Sequence, residues 1–191
     1  MNIVLFGAPG AGKGAQAERI ATVYDMVHLS TGEMLRSAIS SGSDLGTKAK
    51  EIIDQGELIS DDIIVKIVDA RLDEHDCVNG VILDGFPRTL AQAKALDNLL
   101  AVKGQSLDHV IAIEVDEVAL FARIANRAAE RRRTGTARSD DNAETLKRRL
   151  AVYHENTAPL LPYYRAKSLL RSVDGMASIE EVATQIDNLL G

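Results

Sequence analysis

Seven residues near the start of the chain, Gly7-Ala8-Pro9-Gly10-Ala11-Gly12-Lys13, fit the spacing G-x-x-x-x-G-K. Glycines there leave backbone N–H groups free to converge on phosphate oxygens, an approach that side chains would block. The apolar run Asn2–Phe6 precedes the loop and a helical pattern, Lys13–Tyr24, follows it. The positive end of that helix meets the same point, and Lys13 supplies a cation for the outer phosphates of a nucleotide. The chemistry is polyphosphate binding, and the G-x-G-x-x-G spacing of a dinucleotide site is absent. Gly14 stands where a P-loop usually carries Ser or Thr, so the usual hydroxyl ligand for Mg²⁺ is missing. A magnesium ion would then be held largely by water and nucleotide oxygens. Asp84, closing the apolar run Val81–Leu83, is the candidate anchor of that hydration shell, with an ordinary strand-end turn as its alternative role.

Other reactive residue types point nowhere as sharply. Cys77 is the single cysteine, which suits a reducing compartment and the role of a small buried hydrophobe. His28, His75, His109 and His154 show no metal-ligand spacing and are expected to pack or face solvent. Arg131-Arg132-Arg133 is a charge run in which at least two members are expected to be solvated, and Arg148 has no assigned role. Asp140 and Asp141 either cap the next helix or orient arginines.

These residues need a scaffold, and the chain of 191 residues alternates short β-rich runs with amphipathic segments. Strands are predicted at Asn2–Phe6, Met26–Leu29, Val81–Leu83, His109–Val115 and Leu169–Val173. Helices are predicted at Lys13–Tyr24, from the Ser30/Glu33 capping box toward Ser40, and at Asp44–Gln55 and Asp61–Glu74. Further helices are Leu90–Leu100 behind Thr89, Glu117–Ala129 behind Asp116, one from Asp140 past Pro159, and one behind Ser178-x-x-Glu181. The pattern predicts an α/β fold with a parallel sheet whose apolar strands are covered on both faces. Two stretches leave the rhythm, Ser30 to Ile59 and the Arg-rich 131–141.

Bulk properties narrow the function. The formal net charge is −6, and aromatics make up only 4% with no tryptophan, against a nucleic-acid partner or a base-stacking platform. Any positive charge must be concentrated locally. No apolar stretch reaches the ~20 residues of a bilayer span and no signal-peptide pattern opens the chain, so a cytoplasmic protein without a membrane partner is expected.

Several segments together resemble the adenylate kinase family: Gly7–Gln16 (GAPGAGKGAQ), His28–Arg36 (HLSTGEMLR), Asp84–Arg88 (DGFPR) with Thr89 and Gln92, Ser139–Asp141, and Tyr153–Tyr164 (YHENTAPLLPYY). The resemblance covers essentially the whole chain, and DGFPR behind such a loop is its most specific part. It implies a P-loop NTPase-type five-stranded parallel sheet flanked by helices. A single domain would comprise core 1–29, 60–125 and 138–191, an NMP-binding insertion 30–59 and a short lid 126–137 without zinc. It implies Mg-ATP as phosphate donor, AMP as acceptor, ADP as product, and a monomer.

By the same resemblance ATP would meet Gly10, Ala11, Gly12, Lys13, Gly14, Ala15, Arg123, Arg127 and the backbone near Ala177. AMP would meet Thr31, Arg36, Glu57, Leu58, Ile59, Gly85, Phe86, Pro87, Arg88 and Gln92. Arg138 and Arg149 would bridge the AMP phosphate and the transferred group. Lys13, Arg88, Arg127, Arg138 and Arg149 would carry the catalysis. Ala15 departs from the family, where threonine is usual, and removes a hydroxyl donor to the phosphates.

The residue types suit phosphoryl transfer, which asks for charge neutralisation and alignment rather than a nucleophile. A phosphate monoester with a second pKa near 6 is mostly deprotonated at pH 7, so no general base is required. Planar guanidiniums meet phosphate oxygens bidentately. A UMP/CMP kinase is the near alternative, although Thr31-Gly32-Glu33 and Thr89-x-x-Gln92 look more like the adenylate form. A nucleotide-binding switch or an inactive P-loop scaffold is the alternative of another class. The Asn-Lys-x-Asp guanine-reading motif is missing, which disfavours a GTPase.

Overall fold

The computed structural model describes residues 1–40, 52, 57–136 and 142–191. Strands β1 (Asn2–Phe6), β2 (Val27–Ser30), β3 (Val81–Asp84), β4 (His109–Glu114) and β5 (Leu170–Asp174) form one sheet in the order β2-β3-β1-β4-β5. Every pairing is parallel. All five residues of β1 are buried, as expected for a central strand covered on both faces.

The helices are α1 (Lys13–Tyr24), α2 (Thr31–Ser40), α3 (Asp61–Leu72), α4 (Leu90–Val102), α5 (Glu117–Arg133), α6 (Ala143–Val152), α7 (Leu160–Ala166) and α8 (Ile179–Leu190). They cover the sheet with two apolar layers. Val4, Phe6, Leu83, Leu96 and Tyr164 lie in one, and Ile3, Leu5, Ile20, Ile111 and Ile186 in the other. Alternate residues of β1 therefore feed opposite cores.

Register brings the chemistry together. Leu5 pairs with Asp84, and Asp84 with Ser30, so β1, β3 and β2 end side by side. The glycine loop, the Asp84–Arg88 turn and the Ser30–Arg36 segment therefore leave the same edge. On the other side Glu114 pairs with Asp174, and Gly175 N–H donates to the Glu114 carbonyl at 2.8 Å, which brings Ala177 to that edge too.

The caps follow the sequence in part. Thr89 accepts from Gln92 N–H, and Ser178 and Glu181 form a complete capping box. Ser30 Oγ accepts from Glu33 N–H at 3.4 Å. Asp116 stands at the head of α5 but makes no side-chain cap bond.

Two predicted helix limits need correction. Helix α5 does not stop at Ala129 but runs to Arg133, through what the sequence suggested as the start of a lid. Ala, Glu and Arg are strong helix formers, and three arginines in the last turn complement the negative end of the dipole. Gly135, at φ 72°, lies just beyond its end. The long helix from Asp140 past Pro159 is also broken. It begins at Ala143, where Asn142 accepts from Thr145 N–H at 2.8 Å. After Val152 a π turn, Tyr153–Thr157, intervenes, with Ala158 N–H donating to the Tyr153 carbonyl at 2.8 Å. Pro159 cannot donate to the carbonyl four residues earlier and would clash with it, and the wider turn stands where that conflict arises. The predicted helix Asp44–Gln55 lies outside the described residues apart from Ile52.

Candidate active site

The glycine loop folds on itself through Ala11 N–H to the Ala8 carbonyl at 3.0 Å. Gly12, the residue ahead of α1, has φ 99°, a conformation that a side chain strains. Among the described residues no side chain caps α1, so its first N–H groups are left for a ligand at the helix end. Lys13 Nζ lies back on the loop, donating to the carbonyls of Gly7 at 2.7 Å and Ala8 at 3.1 Å. Burial, and then the charges of Arg88, Arg149 and Arg127, lower its pKa to about 8 against the pull of Asp84.

Above the loop opens a cavity of about 430 Å³, lined by Lys13, Arg36, Arg88, Arg123, Arg127, Arg131 and Arg149 among others. Its lining carboxylates among the described residues are Glu18, Glu33 and Asp84. This is the local concentration of positive charge that a chain of net charge −6 must have to hold a polyphosphate. Gly10, Gly12, Gly14 and Ala15 line it as well. Arg123 donates to the carbonyls of Gly175 at 2.7 Å and Ala11 at 3.5 Å, a fixed guanidinium between loop and sheet edge.

A second pocket continues from the cavity and shares Gly32, Arg36, Gly85, Arg88 and Arg149 with it. Leu35, Leu58, Ile59 and Ile64 complete its wall with apolar side chains, beside the polar Thr31, Glu57 and Gln92. The Gly85 carbonyl organises this wall. It accepts from Thr31 Oγ1 at 3.0 Å and from Arg88 Nε at 2.7 Å, which ties the guanidinium to the turn through Nε. Arg88 N–H donates to Gln92 Oε1 at 2.7 Å, and Gln92 Nε2 donates to Asp61 at 2.7 Å. What Gln92 can still offer a ligand is its second amide N–H and the remaining lone pair of Oε1. Burial first, then the charge of Arg149, lowers the Arg88 pKa to about 10. These guanidiniums crowd one another where an anion would relieve them.

Asp84 sits between the loop and the turn. Burial works against its charge, but the His28 imidazole and the Lys13 and Arg88 charges outweigh it and hold the carboxyl below the usual range. A Cβ at Gly14 would lie 3.8 Å from Asp84 Oδ2, so this carboxylate faces the position where other P-loops present a hydroxyl. An anionic oxygen at that point fits the outer shell of a hydrated magnesium ion. Among the described residues no three His, Cys, Asp or Glu side chains cluster to hold a metal by themselves.

A third pocket, of about 330 Å³, lies on the other side of the loop. Gly10, Ala11, Gly12, Ala15 and Arg123 line it together with Ala177, Ile179 and Val182.

Most of the predicted site residues thus converge. Phe86 does not: it is 1% exposed within the core and lines none of these cavities, so it anchors the turn. Pro87 lines a smaller recess beside Lys13, Arg88 and Arg149. Arg138 lies outside the described residues, as do Asp140 and Asp141. Cys77 is buried, as expected, and burial pushes its thiol up to about 11. Arg132 and Arg133 are exposed, whereas Arg131 reaches the cavity. The four-residue spacing of Arg123, Arg127 and Arg131 was the signal for that, because it puts all three on one helix face. His28 was missed as well. Its Nε2 lies 3.5 Å from Asp84 Oδ2 at the cavity wall, a placement visible only once the β2–β3 register is known.

A parallel sheet in this order, with a glycine loop after its central strand, is the architecture of the P-loop nucleoside monophosphate kinases. The family model "Adenylate kinase" matches residues 5–169. The adenylate kinase of Parvibaculum lavamentivorans is 53% identical over 191 residues, covering 100% of this chain and 92% of that protein. Those of a Caulobacter species and of Phenylobacterium zucineum are each 52% identical over 190 residues, covering 100% of this chain and 98% and 97% of theirs. The chain belongs to the adenylate kinase family.

Proposed function

We propose that the site performs the reaction of its family. The chain is an ATP:AMP phosphotransferase, moving the terminal phosphoryl group of ATP to AMP and giving two ADP. The observation that carries this reading is the shared wall. The polyphosphate cavity and the Thr31–Gln92 pocket meet at Arg88 and Arg149, so a donor and an acceptor phosphate would be held in line by the same guanidiniums. A second cavity of this kind has no purpose in a switch that only binds a nucleotide.

In this reading the loop amides and the α1 end grip the β- and γ-phosphates, and Lys13 exchanges its own loop carbonyls for them. Arg123, Arg127 and Arg149 neutralise the transferring group, and Arg36 and Arg88 hold the AMP phosphate. Thr31, Gln92 and the backbone of Glu57, Leu58 and Ile59 receive its base and sugar. Arg138 belongs to the proposal by resemblance alone. Asp84 would orient the water shell of magnesium, which supplies charge neutralisation on the phosphate oxygens.

The attacking oxygen is already ionised at pH 7, so the residues exclude water and align the groups rather than move a proton. The division into a core with excursions 30–59 and 126–137 that close over the nucleotides is part of the same proposal. Hydrogen exchange in both segments that a bisubstrate ligand leaves unchanged would overturn it. A monomer belongs to the same proposal by resemblance, and the lone buried thiol suits cytoplasmic work. ADP formed from ATP plus AMP, compared with UMP, CMP and GMP and with ATP alone, tests the proposal. Phosphate transfer to UMP or CMP but not AMP would make it a pyrimidine kinase, and no transfer to any of them would make it a binding module.

A further inference from the structure

Arg88 is held from a distant part of the chain as well as from its own turn. Its Nε donates to the Gly85 carbonyl at 2.7 Å, and its N–H donates to Gln92 Oε1 at 2.7 Å on the helix that follows. Its carbonyl lies ahead of the cap residue Thr89 and so outside the hydrogen-bond ladder of α4. Thr157, the last residue of the π turn, serves that carbonyl: its Oγ1 donates to it at 3.0 Å. Thr157 is 6% exposed, so little water stands ready to replace its hydroxyl.

Helix phase explains how Thr157 reaches this place. In an unbroken α-helix of about 3.6 residues per turn, the step from Arg149 to Thr157 would overshoot two turns by about 80°. The π turn closes its ring one residue later, which takes up that excess and returns Thr157 to the face of Arg149. Arg149, Val152, Tyr153 and Thr157 accordingly line one recess, with Arg88 in its wall. One element thus presents Arg149 to both nucleotide cavities and grips the main chain of Arg88. The grip has work to do. Burial first, then the charge of Arg149, lowers the Arg88 pKa, so the two guanidiniums repel each other. Holding two phosphates in line requires that their spacing be fixed against this repulsion. We propose that Thr157 is a positioning residue for phosphoryl transfer: the π turn delivers its hydroxyl to the Arg88 carbonyl and so sets the spacing of Arg88 and Arg149. The inference rests on the reading of the chain as an ATP:AMP phosphotransferase.

The test separates the hydroxyl from the bulk of the side chain. Thr157→Val keeps the branched shape and loses the donor, whereas Thr157→Ser keeps the donor and loses a methyl group. ADP formation is measured with ATP and AMP each varied, on variants whose thermal unfolding curves show a folded protein. Misplacing Arg88 by a fraction of an ångström predicts a fall in kcat of about tenfold in Thr157→Val, with the KM for ATP within about twofold of wild type. Thr157→Ser should keep kcat within about threefold of wild type. The Arg88 Nε–H resonance of the ligand-free protein gives a second readout that needs no turnover. It should move in Thr157→Val and hold its place in Thr157→Ser. A contact that only stabilises the fold would lower the melting temperature but leave kcat and the Arg88 resonance at their wild-type values, and that result overturns the proposal. An equal fall in kcat in both variants overturns it as well, because the methyl group rather than the hydroxyl would then be responsible. A wild type that makes no ADP from ATP and AMP removes the underlying activity, and the proposal with it.

Discussion

Replacing Arg88 with lysine keeps a positive charge and removes its geometry, which separates the two contributions of this residue. In the structure Nε is committed to the Gly85 carbonyl at 2.7 Å, so the two outer nitrogens remain for a phosphate. A lysine ammonium cannot hold the carbonyl and two phosphate oxygens in the same directions. One lost charge-assisted hydrogen bond is worth about 1.5–3 kcal/mol, and misalignment of the acceptor adds to it. Together they predict a fall in turnover of about 10²–10³-fold.

The charge itself is also at risk in that variant. Burial and the charge of Arg149 lower Arg88 to about 10, and the same surroundings would lower a lysine there from its ordinary value. Turnover of Arg88→Lys should therefore decline further as the pH is raised into mild base. The fold should survive, because the main chain is fixed independently, by Arg88 N–H on Gln92 Oε1 at 2.7 Å and by Thr157 Oγ1 on the Arg88 carbonyl at 3.0 Å. The assay is ADP formation with ATP saturating and AMP varied, alongside a thermal unfolding curve. Turnover within about threefold of wild type, in a variant that melts normally, would refute the argument that the fork aligns the acceptor.

Other consequences are as direct. Because Lys13 titrates at about 8 in the free protein, kcat/KM for ATP should fall about tenfold per pH unit above that value. Bound phosphate favours the ammonium, so kcat should stay level to higher pH; a pH profile of both constants checks this. The same lowering means that Lys13 weighs against folding below about pH 8 and that the penalty is relieved as pH rises toward its unfolded value of 10.5. Gly85→Ala should be costly in two ways. The residue has φ 81°, and a Cβ there would lie 2.9 Å from both Arg88 Nη2 and Thr31 Oγ1. A loss of about 1–3 kcal/mol of stability in urea unfolding and at least about a tenfold rise in the KM for AMP are expected. Ala15→Thr should place a hydroxyl where the loop borders the polyphosphate cavity and lower the KM for ATP by about two- to tenfold in steady-state titration.

The parts of this account that were legible in the sequence are those whose signals are local. Gly7–Lys13 declares itself because backbone approach to phosphate demands glycines at set positions between a strand and a helix. The five strands were legible because they are short apolar runs between turns, and Thr89 and Ser178 because a cap is a matter of three or four residues. What failed needed longer range. The α5 limit was misjudged because a charged tail of good helix formers looks like a loop when only its polarity is read. The π turn at Tyr153–Thr157 is a response to Pro159 that no periodicity announces. The arginines that line the cavity cannot be told by composition from those that face solvent; helix phase separates Arg131 from Arg132 and Arg133. His28 emerged only from a contact across the sheet.

The central claim is that one cavity holds a donor polyphosphate and an adjoining one, sharing its arginines, holds an acceptor monophosphate. The most direct measurement is the ADP made by the purified protein from ATP and magnesium with each of AMP, UMP, CMP and GMP in turn. Two ADP per AMP consumed, with the other acceptors far poorer and little phosphate released from ATP alone, is the predicted result. ATP bound tightly at the glycine loop with no diphosphate formed from any acceptor would contradict it.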